Sequence, residues 1–372
     1  MGAVAPEQQP AIDEFAWVRS LVEGILVVED ITVGVGNTRT IRVRGRFLAA
    51  ADDAYARMAS QARARGYTLR LRQQGEEATV LLDPGVASAS AGRSWLPAVL
   101  AGVTVLSVLA AYMFYWGLEE FTWAAFLSSL PEGLGFTASL LSILTAHELA
   151  HYFTARHFGV PVTLPYFIPM PLSPLGTMGA VISMKGIPPS KRATLLIGLA
   201  GPVAGLVLAI PILLYGLHLS ELGYLPQGQP YSLEGNSLLY LALKYIMFGR
   251  WLPSGGLDVL LHPVAFAGWG GLLVTGLNLI PAGQLDGGHV AYALLGEKTR
   301  YLNWVIVAAL LVLGIQWSGW FLWAALIFLF SRFRVRPLDD VSPLTRAEVI
   351  AGVLLLIVFV ITFVPVPLEF VM

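Results

Sequence analysis

Long apolar runs separated by short polar segments fill the chain after residue 94, and this pattern predicts membrane-spanning helices. An α-helix rises 1.5 Å per residue, so about 20 apolar residues cross a hydrocarbon core of roughly 30 Å. Such runs cover residues 95–116, 133–158, 193–215, 263–280 and 349–364. A further run, 302–330, is interrupted at 316–319 and predicts two short helices in a hairpin, with one tilted span as the alternative. We therefore expect an α-helical polytopic membrane protein with about six to seven spans.

Three other segments of this region do not fit a spanning helix. Residues 121–130 are too short to cross and are expected at the membrane interface, and 216–262 is expected to be mostly loop. Residues 160–189 contain seven prolines, and 179–184 within them have the pattern of a strand. Because irregular backbone at membrane depth is tolerated only inside protein or against water, we predict a re-entrant β-hairpin.

The N-terminal quarter of the chain has shorter periods, typical of a small soluble domain. Apolar residues alternate with arginines over 41–47, which predicts a half-buried strand. A helix from Asp52 or Asp53 to about Arg65 and strands over 67–72 and 78–82 complete an expected α+β domain, 16–84. A flexible arm, 1–15, is expected before it and a linker, 85–94, after it. The arginine-rich strand admits an RNA-binding interpretation, but a solvated sheet face balanced by acidic residues is favoured.

Composition supports this division. The chain is 56% hydrophobic and 13% charged, against about 25% charged in soluble domains. Residues 1–93 hold 11 of the 23 basic and 11 of the 24 acidic residues, so the membrane-embedded domain is expected to cover 95–372. The net charge of −1 gives no reason to expect a nucleic-acid partner. The lack of cysteine excludes disulfides, thiol catalysis and cysteine-ligated metal, so any metal must be held by His, Asp or Glu.

Basic residues near the ends of the runs predict the orientation in the bilayer. Arg93, Arg156, Lys191 and the arginines at 332, 334 and 336 should share the cytoplasmic side. This places the N-terminal domain in the cytoplasm and 216–262 outside, with Lys244 and Arg250 as exceptions. The polar, acidic N-terminus has the features of neither a signal peptide nor a transit peptide, so a bacterial inner membrane is the expected location.

The motif with the clearest chemistry is His-Glu-x-x-His, which lies inside the apolar run 133–158. His147 and His151 are four residues apart, so on a helix both rings can reach one metal ion. Glu148 lies beside them, in position to handle a metal-activated water. Burial of two imidazoles and a carboxylate in lipid would be costly without a metal. The pattern therefore predicts a hydrolytic metal site at membrane depth.

A hydrolytic zinc site needs a third protein ligand and one open position. Asp286 is the only charged residue between Asp258 and Glu297, and it follows the helix break expected at Pro281. A carboxylate in a lipid span costs roughly 2.5–3.5 kcal/mol, which binding to a cation offsets. Asp286 is thus the preferred third ligand and His289 the rival.

These motifs resemble those of the site-2 protease family of intramembrane zinc metalloproteases. Residues 147–151 match the first family motif, and 278–288, which read Asn-x-x-Pro-x-x-x-Leu-Asp-Gly-Gly, match the second. Ala200-Gly201-Pro202 followed by Gly205 matches a helix-packing element, although many members carry Asn at the last position. The resemblance covers roughly residues 95–300, with the core at 133–300. The soluble N-terminal domain is similar to that of the branch that includes the chloroplast EGY-type proteases and their bacterial relatives.

The resemblance implies one Zn²⁺ per chain, held by His147, His151 and Asp286, with Glu148 as the general base and Asn278 as a supporting residue of the active site. It implies a zinc metalloendopeptidase that acts in the lipid bilayer on single-pass transmembrane proteins, with a regulator of the N-terminal domain as a further possible partner. The alternatives are a metal-dependent transporter and a catalytically inactive scaffold. A helical substrate must be unwound before water can attack it, so the proline-rich hairpin is expected to hold the chain extended along a strand edge.

Overall fold

The computed structural model describes residues 9–34, 39–48, 51–85, 95–118, 120, 122–226, 228, 231–331 and 336–371. The chain forms two compact units. The first, called the small unit, comprises Met1–Ser90, Gly186–Thr194 and Val335–Thr345, and the second, called the helical unit, comprises the rest. Most of the expected linker and the arginines at 93, 332 and 334 lie outside the described residues.

The small unit contains a four-stranded antiparallel sheet and two helices. Its elements are α1 (Gln9–Val22), β1 (Leu26–Val33), β2 (Ile41–Phe47), α2 (Ala51–Ala64), β3 (Tyr67–Gln74) and β4 (Glu77–Pro84), with strand order β1-β2-β4-β3. The expected arm was wrong for residues 9–15, because α1 begins at Gln9 and buries Val18, Leu21 and Val22 in the core of the unit. Strand β1 was not predicted, since a bulge between Val28 and Asp30 breaks its alternation.

The arginine-rich face of this sheet carries matching acidic residues. Arg44 lies 3.2 Å from the carboxylate of Asp30, and Arg46 lies 3.0 Å from that of Glu29. Arg70 forms an ion pair with Asp83. The opposite face supplies buried apolar residues to the core. These contacts favour the interpretation of a solvated, charge-balanced sheet face over RNA binding.

Two distant segments of the chain complete the small unit at the β3 edge. The amide of Leu71 donates to the carbonyl of Leu338 at 2.8 Å, and the amide of Asp339 donates to Pro189 at 2.9 Å. The Arg72 guanidinium donates to the carbonyl of Pro337 at 2.8 Å. The N-terminal domain predicted for 16–84 is therefore larger in the structure, because residues far along the sequence extend its sheet.

The helical unit is mostly helical, with a few two-stranded sheets. Its helices are α3 (Leu96–Tyr112), α4 (Trp123–His157), α5 (Lys191–His218), α6 (Leu238–Phe248), α7 (Pro263–Asn278), α8 (Asp286–Leu295), α9 (Thr299–Leu313), α10 (Gly319–Phe330) and α11 (Arg346–Thr362). The first four residues of α5 are counted with the small unit. Among the described residues, three helices are long and apolar enough to cross a membrane: α3 with its π-helical extension to Gly117, α4 and α5. Residues 302–330 form the two helices that we preferred, α9 and α10.

Two boundaries of the sequence prediction were wrong. Residues 123–130 join the motif helix, giving a 35-residue α4 that accommodates Pro131. Residues 216–262 are more ordered than a loop, since they contain α6 and three strands: β7 (Glu221–Tyr224), β8 (Tyr231–Glu234) and β9 (Leu257–Leu260). Strand β7 pairs with β9, and β8 pairs with the C-terminal strand β10 (Leu368–Val371). Lys244, an exception to the charge rule, is fully buried and lies 3.2 Å from the carboxylate of Asp258.

The proline-rich segment contains a β-hairpin, made of β5 (Tyr166–Pro169) and β6 (Thr177–Val181), and its re-entrant placement stays a prediction. Its second strand begins two residues earlier than the strand predicted at 179–184. The hairpin turn packs against α3, where the Ser107 hydroxyl donates to the carbonyl of Gly176 at 2.7 Å. A side chain at Gly176 would lie 2.4 Å from the Val108 backbone, and its φ is +69°, so glycine is required there.

Candidate metal centre

Helix α4 presents its motif residues to the interior of the helical unit. Relative exposures are 3% for His147, 6% for Glu148 and 5% for His151. The i, i+4 spacing places both imidazoles on one face of the helix. The apolar flanks of the motif, including Leu140, Ile143 and Leu144, are buried as well. The motif is therefore an enclosed polar site in an apolar helix.

The turn between α7 and α8 brings Asp286 to the same place. Helix α7 ends at Asn278, and α8 starts at Asp286. Close packing of this turn needs glycine after the aspartate, since a side chain at Gly287 would lie 2.0 Å from the carbonyl oxygen of Leu279. Asp286 thereby stands at the first position of α8, with its side chain 15% exposed.

Three donor atoms form a nearly equilateral triangle. The Nε2 atoms of His147 and His151 are 3.1 Å apart. The Asp286 Oδ2 atom lies 3.1 Å from the first and 3.2 Å from the second. Tetrahedral zinc with bonds of about 2.0–2.1 Å separates its ligand atoms by about 3.3–3.4 Å. The triangle therefore has nearly the size that one face of a zinc site requires.

The hydrogen bonding of His151 indicates that a cation belongs in this triangle. Its Nδ1 lies 2.7 Å from the carbonyl oxygen of Ile197, and since a carbonyl only accepts, Nδ1 carries the proton. In the neutral imidazole, Nε2 then presents a lone pair to the Asp286 carboxylate. Two acceptors at 3.2 Å repel each other unless a positive group lies between them. A histidine held by a backbone carbonyl in this way is typical of a metal ligand.

Glycines on α5 leave space for both imidazoles. A side chain at Gly201 would lie 2.0 Å from His151 Nε2. One at Gly205 would lie 3.1 Å from His147 Nδ1 and 3.0 Å from the Thr275 hydroxyl. The Gly-x-x-x-Gly pair thus allows close approach to α4 and α7, and it also keeps the metal-binding nitrogen of His151 clear.

Two further groups adjoin the triangle. The Asn278 side-chain nitrogen lies 3.4 Å from His147 Nε2. Glu148 is hydrogen-bonded to the backbone of Ile182, the residue after β6. An amide donor and a carboxylate therefore flank the donor triangle, and the carboxylate is tied to the end of the hairpin.

The structure brings four sequence-predicted residues, His147, His151, Asp286 and Asn278, into direct proximity, with Glu148 next to the histidines. The rival ligand His289 is not part of the donor group, which consists of the two α4 histidines and Asp286. Sequence reasoning missed the Ile197 carbonyl and the Ile182 backbone, because a backbone contact leaves no mark on residue type.

Comparison with known proteins agrees with this geometry. Residues 135–314 match the model of peptidase family M50. The matched segment is similar to peptidases of that family. The match contains both predicted motifs and the small-residue element of α5, and the resemblance to site-2 proteases is confirmed. No solved structure matches the chain at a significant level.

Curated relatives come from plants. The chain is 30% identical to the probable zinc metalloprotease EGY2, chloroplastic, of Arabidopsis thaliana, over 66% of this chain and 44% of the relative. It is 33% identical to the probable zinc metalloprotease EGY1, chloroplastic, of the same plant, over 64% of this chain and 43% of the relative. It is 27% identical to the probable zinc metalloprotease EGY3, chloroplastic, of rice, over 73% of this chain and 48% of the relative. The chain thus spans less than half the length of these relatives.

Proposed function

We propose that this protein is a zinc metalloendopeptidase that hydrolyses peptide bonds in membrane-spanning substrates. The observation that carries the proposal is the donor triangle of His147, His151 and Asp286 within an apolar helix. Two imidazoles and one carboxylate with an open fourth position form the ligand set of catalytic zinc in peptidases. The match of residues 135–314 to a peptidase family and the names of the relatives support the same metal and reaction.

When bound, zinc supplies an acidified water and polarises the scissile carbonyl. The chain's own residues handle the protons and the developing charge. Glu148, beside the ligands, takes the proton from the attacking water and returns it to the leaving amine. The Asn278 amide donates to the carbonyl oxygen as negative charge builds there. We infer that a hydrogen bond from the Ile182 backbone helps to orient the Glu148 carboxylate.

We further propose that the hairpin holds the substrate extended. Peptide bonds within a helix are shielded, whereas a strand paired with an exposed edge presents its carbonyls to a neighbouring site. Strand β6 ends at Val181, immediately before the residue that contacts Glu148. The Met178 and Val181 side chains are 59% and 50% exposed. An unwound segment beside β6 would therefore reach the general base.

The arrangement in the membrane is part of the proposal. We place six or seven segments across the bilayer, with the hairpin re-entrant, the small unit in the cytoplasm and the single-pass substrate in the same membrane. The three long helices support this scheme, and the predicted spans 263–280, 302–330 and 349–364 are largely helical as α7, α9, α10 and α11. Burial of Lys244 beside Asp258 explains why it does not obey the charge rule. A bacterial inner membrane and a regulator bound to the small unit remain predictions.

A reconstituted cleavage assay tests the function. Purified protein in proteoliposomes is mixed with a single-pass test protein, and mass spectrometry maps the fragments. Glu148→Gln should lower the rate of fragment formation about 10²-fold or more, and the variant should keep its full zinc content. Undiminished cleavage by this variant would refute the role of Glu148, and loss of zinc with activity would argue against its assignment as the base.

The match to a peptidase family does not favour the two alternatives, a metal transporter and an inactive scaffold. Glu148 would have no evident task in a transporter. Zinc uptake into the same proteoliposomes, with no fragments formed, would nevertheless restore the transporter hypothesis. A cellular function unchanged by Glu148→Gln would restore the scaffold hypothesis.

A further inference from the structure

A cavity of about 590 Å³ opens at the ends of α4, α5 and α7 that lie away from the donor triangle. Glu132 lines it and precedes His147 by 15 residues on α4. Pro263 lines it and precedes Asn278 by the same interval on α7. At 1.5 Å per residue, the cavity is about 22 Å from the metal centre along both helices. It is therefore a separate site carried by the same helices.

Several aromatic rings and three carboxylates are among the groups that line this cavity. Trp116 and Phe266 lie with ring centroids 4.7 Å apart on one wall. Glu132, Glu221 and Glu234 line it as well, and the Tyr112 hydroxyl donates to one oxygen of Glu132 at 2.9 Å. The cavity volume is within the range of small-ligand pockets. Aromatic faces and carboxylates together are the surroundings that a cationic group prefers.

Basic groups near the cavity are already neutralised. Among the described residues that line it there is no lysine or arginine. The buried Lys244 lies behind Glu234, 3.9 Å from that carboxylate and 3.2 Å from Asp258. His262 also lines the cavity, and its Nδ1 accepts a hydrogen bond from the Val264 amide. Glu132 and Glu221 consequently give the cavity a negative potential, with no lysine or arginine among the described lining residues to balance it.

We propose that this cavity binds a lysine or arginine side chain of the substrate, in the segment that flanks its membrane span. This inference rests on the proposed function and adds a specificity rule to it. A fully helical substrate beside α4 would place the bound residue about 15 residues from the scissile bond. If about four residues are extended at roughly 3.3 Å each, the separation falls to about 10 residues. Preferred substrates therefore carry a basic residue about 10 to 15 positions from the cut.

The test separates binding from cleavage. The probes are synthetic Leu/Ala single-span peptides with one lysine at stepped distances from the mapped cut, and matched peptides with norleucine instead. Binding is measured on Glu148→Gln protein in phosphatidylglycerol vesicles, and hydrolysis on the wild type. Lysine at the best distance should tighten Kd and lower KM about tenfold relative to norleucine. Equal values for lysine and norleucine at every distance would overturn the proposal.

Matched variants test whether the cavity causes the preference for lysine peptides. Glu221→Gln and Glu132→Gln should each remove most of the preference for lysine and leave the norleucine peptides unaffected. Glu369→Gln is the control, because Glu369 is exposed on β10 and does not line the cavity. A preference that survives in both cavity variants would contradict the assignment.

A vesicle arm distinguishes a lipid from a peptide. The same binding measurement is repeated in phosphatidylethanolamine vesicles. If the preference for lysine peptides is lost there, and the two cavity variants bind the peptides tightly again, a lipid headgroup occupies the cavity. That result would show the proposal to be wrong. If the wild type cleaves no peptide but Glu148→Gln protein still prefers lysine, the proposed function fails and the cavity assignment stands.

Discussion

Replacement of Gly201 by alanine tests whether α5 keeps the metal centre open. The added methyl would lie 2.0 Å from His151 Nε2, whereas ordinary contact begins at 3.4 Å, so one of the two must move by about 1.4 Å. Ligand distances in a zinc site tolerate only about 0.2 Å. His151 is also anchored to the Ile197 carbonyl at 2.7 Å, which opposes rotation of its ring. The methyl therefore displaces a ligand atom or occupies the position of the metal.

Removal of the hydrogen bonds that support a metal ligand weakens metal affinity about 10–100-fold. Obstruction of a ligand atom itself should weaken metal affinity by at least about 100-fold. We expect purified Gly201→Ala protein to bind zinc at least 100-fold more weakly in a chelator-competition titration. Its helices should persist, because alanine is favoured over glycine in a helix by up to about 1 kcal/mol.

Gly135→Ala is the matched control. Gly135 lies on the motif helix itself, and the added methyl would meet Val264 at 3.6 Å, an ordinary contact. This variant should keep its zinc and its activity. If Gly201→Ala retained stoichiometric zinc with unchanged affinity, the placement of α5 against His151 would be wrong.

Three further predictions follow from other parts of the structure. Val181→Pro removes a backbone donor from β6 and should slow cleavage about tenfold or more with zinc content unchanged. Val181→Ala, the control, should have little effect. Equal cleavage rates for the two variants would refute pairing of the substrate with the edge of β6. Lys244→Met leaves the buried Asp258 without its partner and should lower the free energy of unfolding by about 3–5 kcal/mol, measured by denaturant titration in detergent. Asp258→Asn in the same protein should recover part of that loss, and purely additive losses would contradict the pairing. A zinc chelator should stop cleavage, and zinc should restore it; activity that persists in metal-free protein would exclude metal catalysis.

The donor residues of the metal centre could be proposed from the sequence because their chemistry depends on spacing and type. The i, i+4 histidines are on one helix face in any helix, and a lone carboxylate in an apolar region has few alternatives to a cation. Proximity of Asp286 to them depends on the turn after α7 and on the close approach of Gly287 to Leu279. The sequence predicted a break in the helix at this glycine-rich stretch, but it did not show in which direction the chain turns there.

Several features could not be predicted because tertiary context overrides local pattern. Residues 121–130 were expected to be separate from the run 133–158, yet α4 continues through Pro131, since a helix tolerates proline when neighbouring groups satisfy the backbone. The bulge in β1 hid that strand, and residues 337–340 join the small unit through backbone pairing that no sequence period records. Gly201 and Gly205 were interpreted as packing residues, but periodicity does not reveal that their faces meet the two histidines.

X-ray absorption at the zinc edge on the purified protein is the most direct test of the metal centre. We expect one zinc per chain with a first shell of nitrogen and oxygen at about 2.0 Å, including scattering from two imidazoles. Asp286→Ala should alter this shell and weaken zinc binding, and His289→Ala should leave it unchanged. A wild-type spectrum without imidazole scattering, or one that responds to His289→Ala and ignores Asp286→Ala, would contradict the metal centre described above.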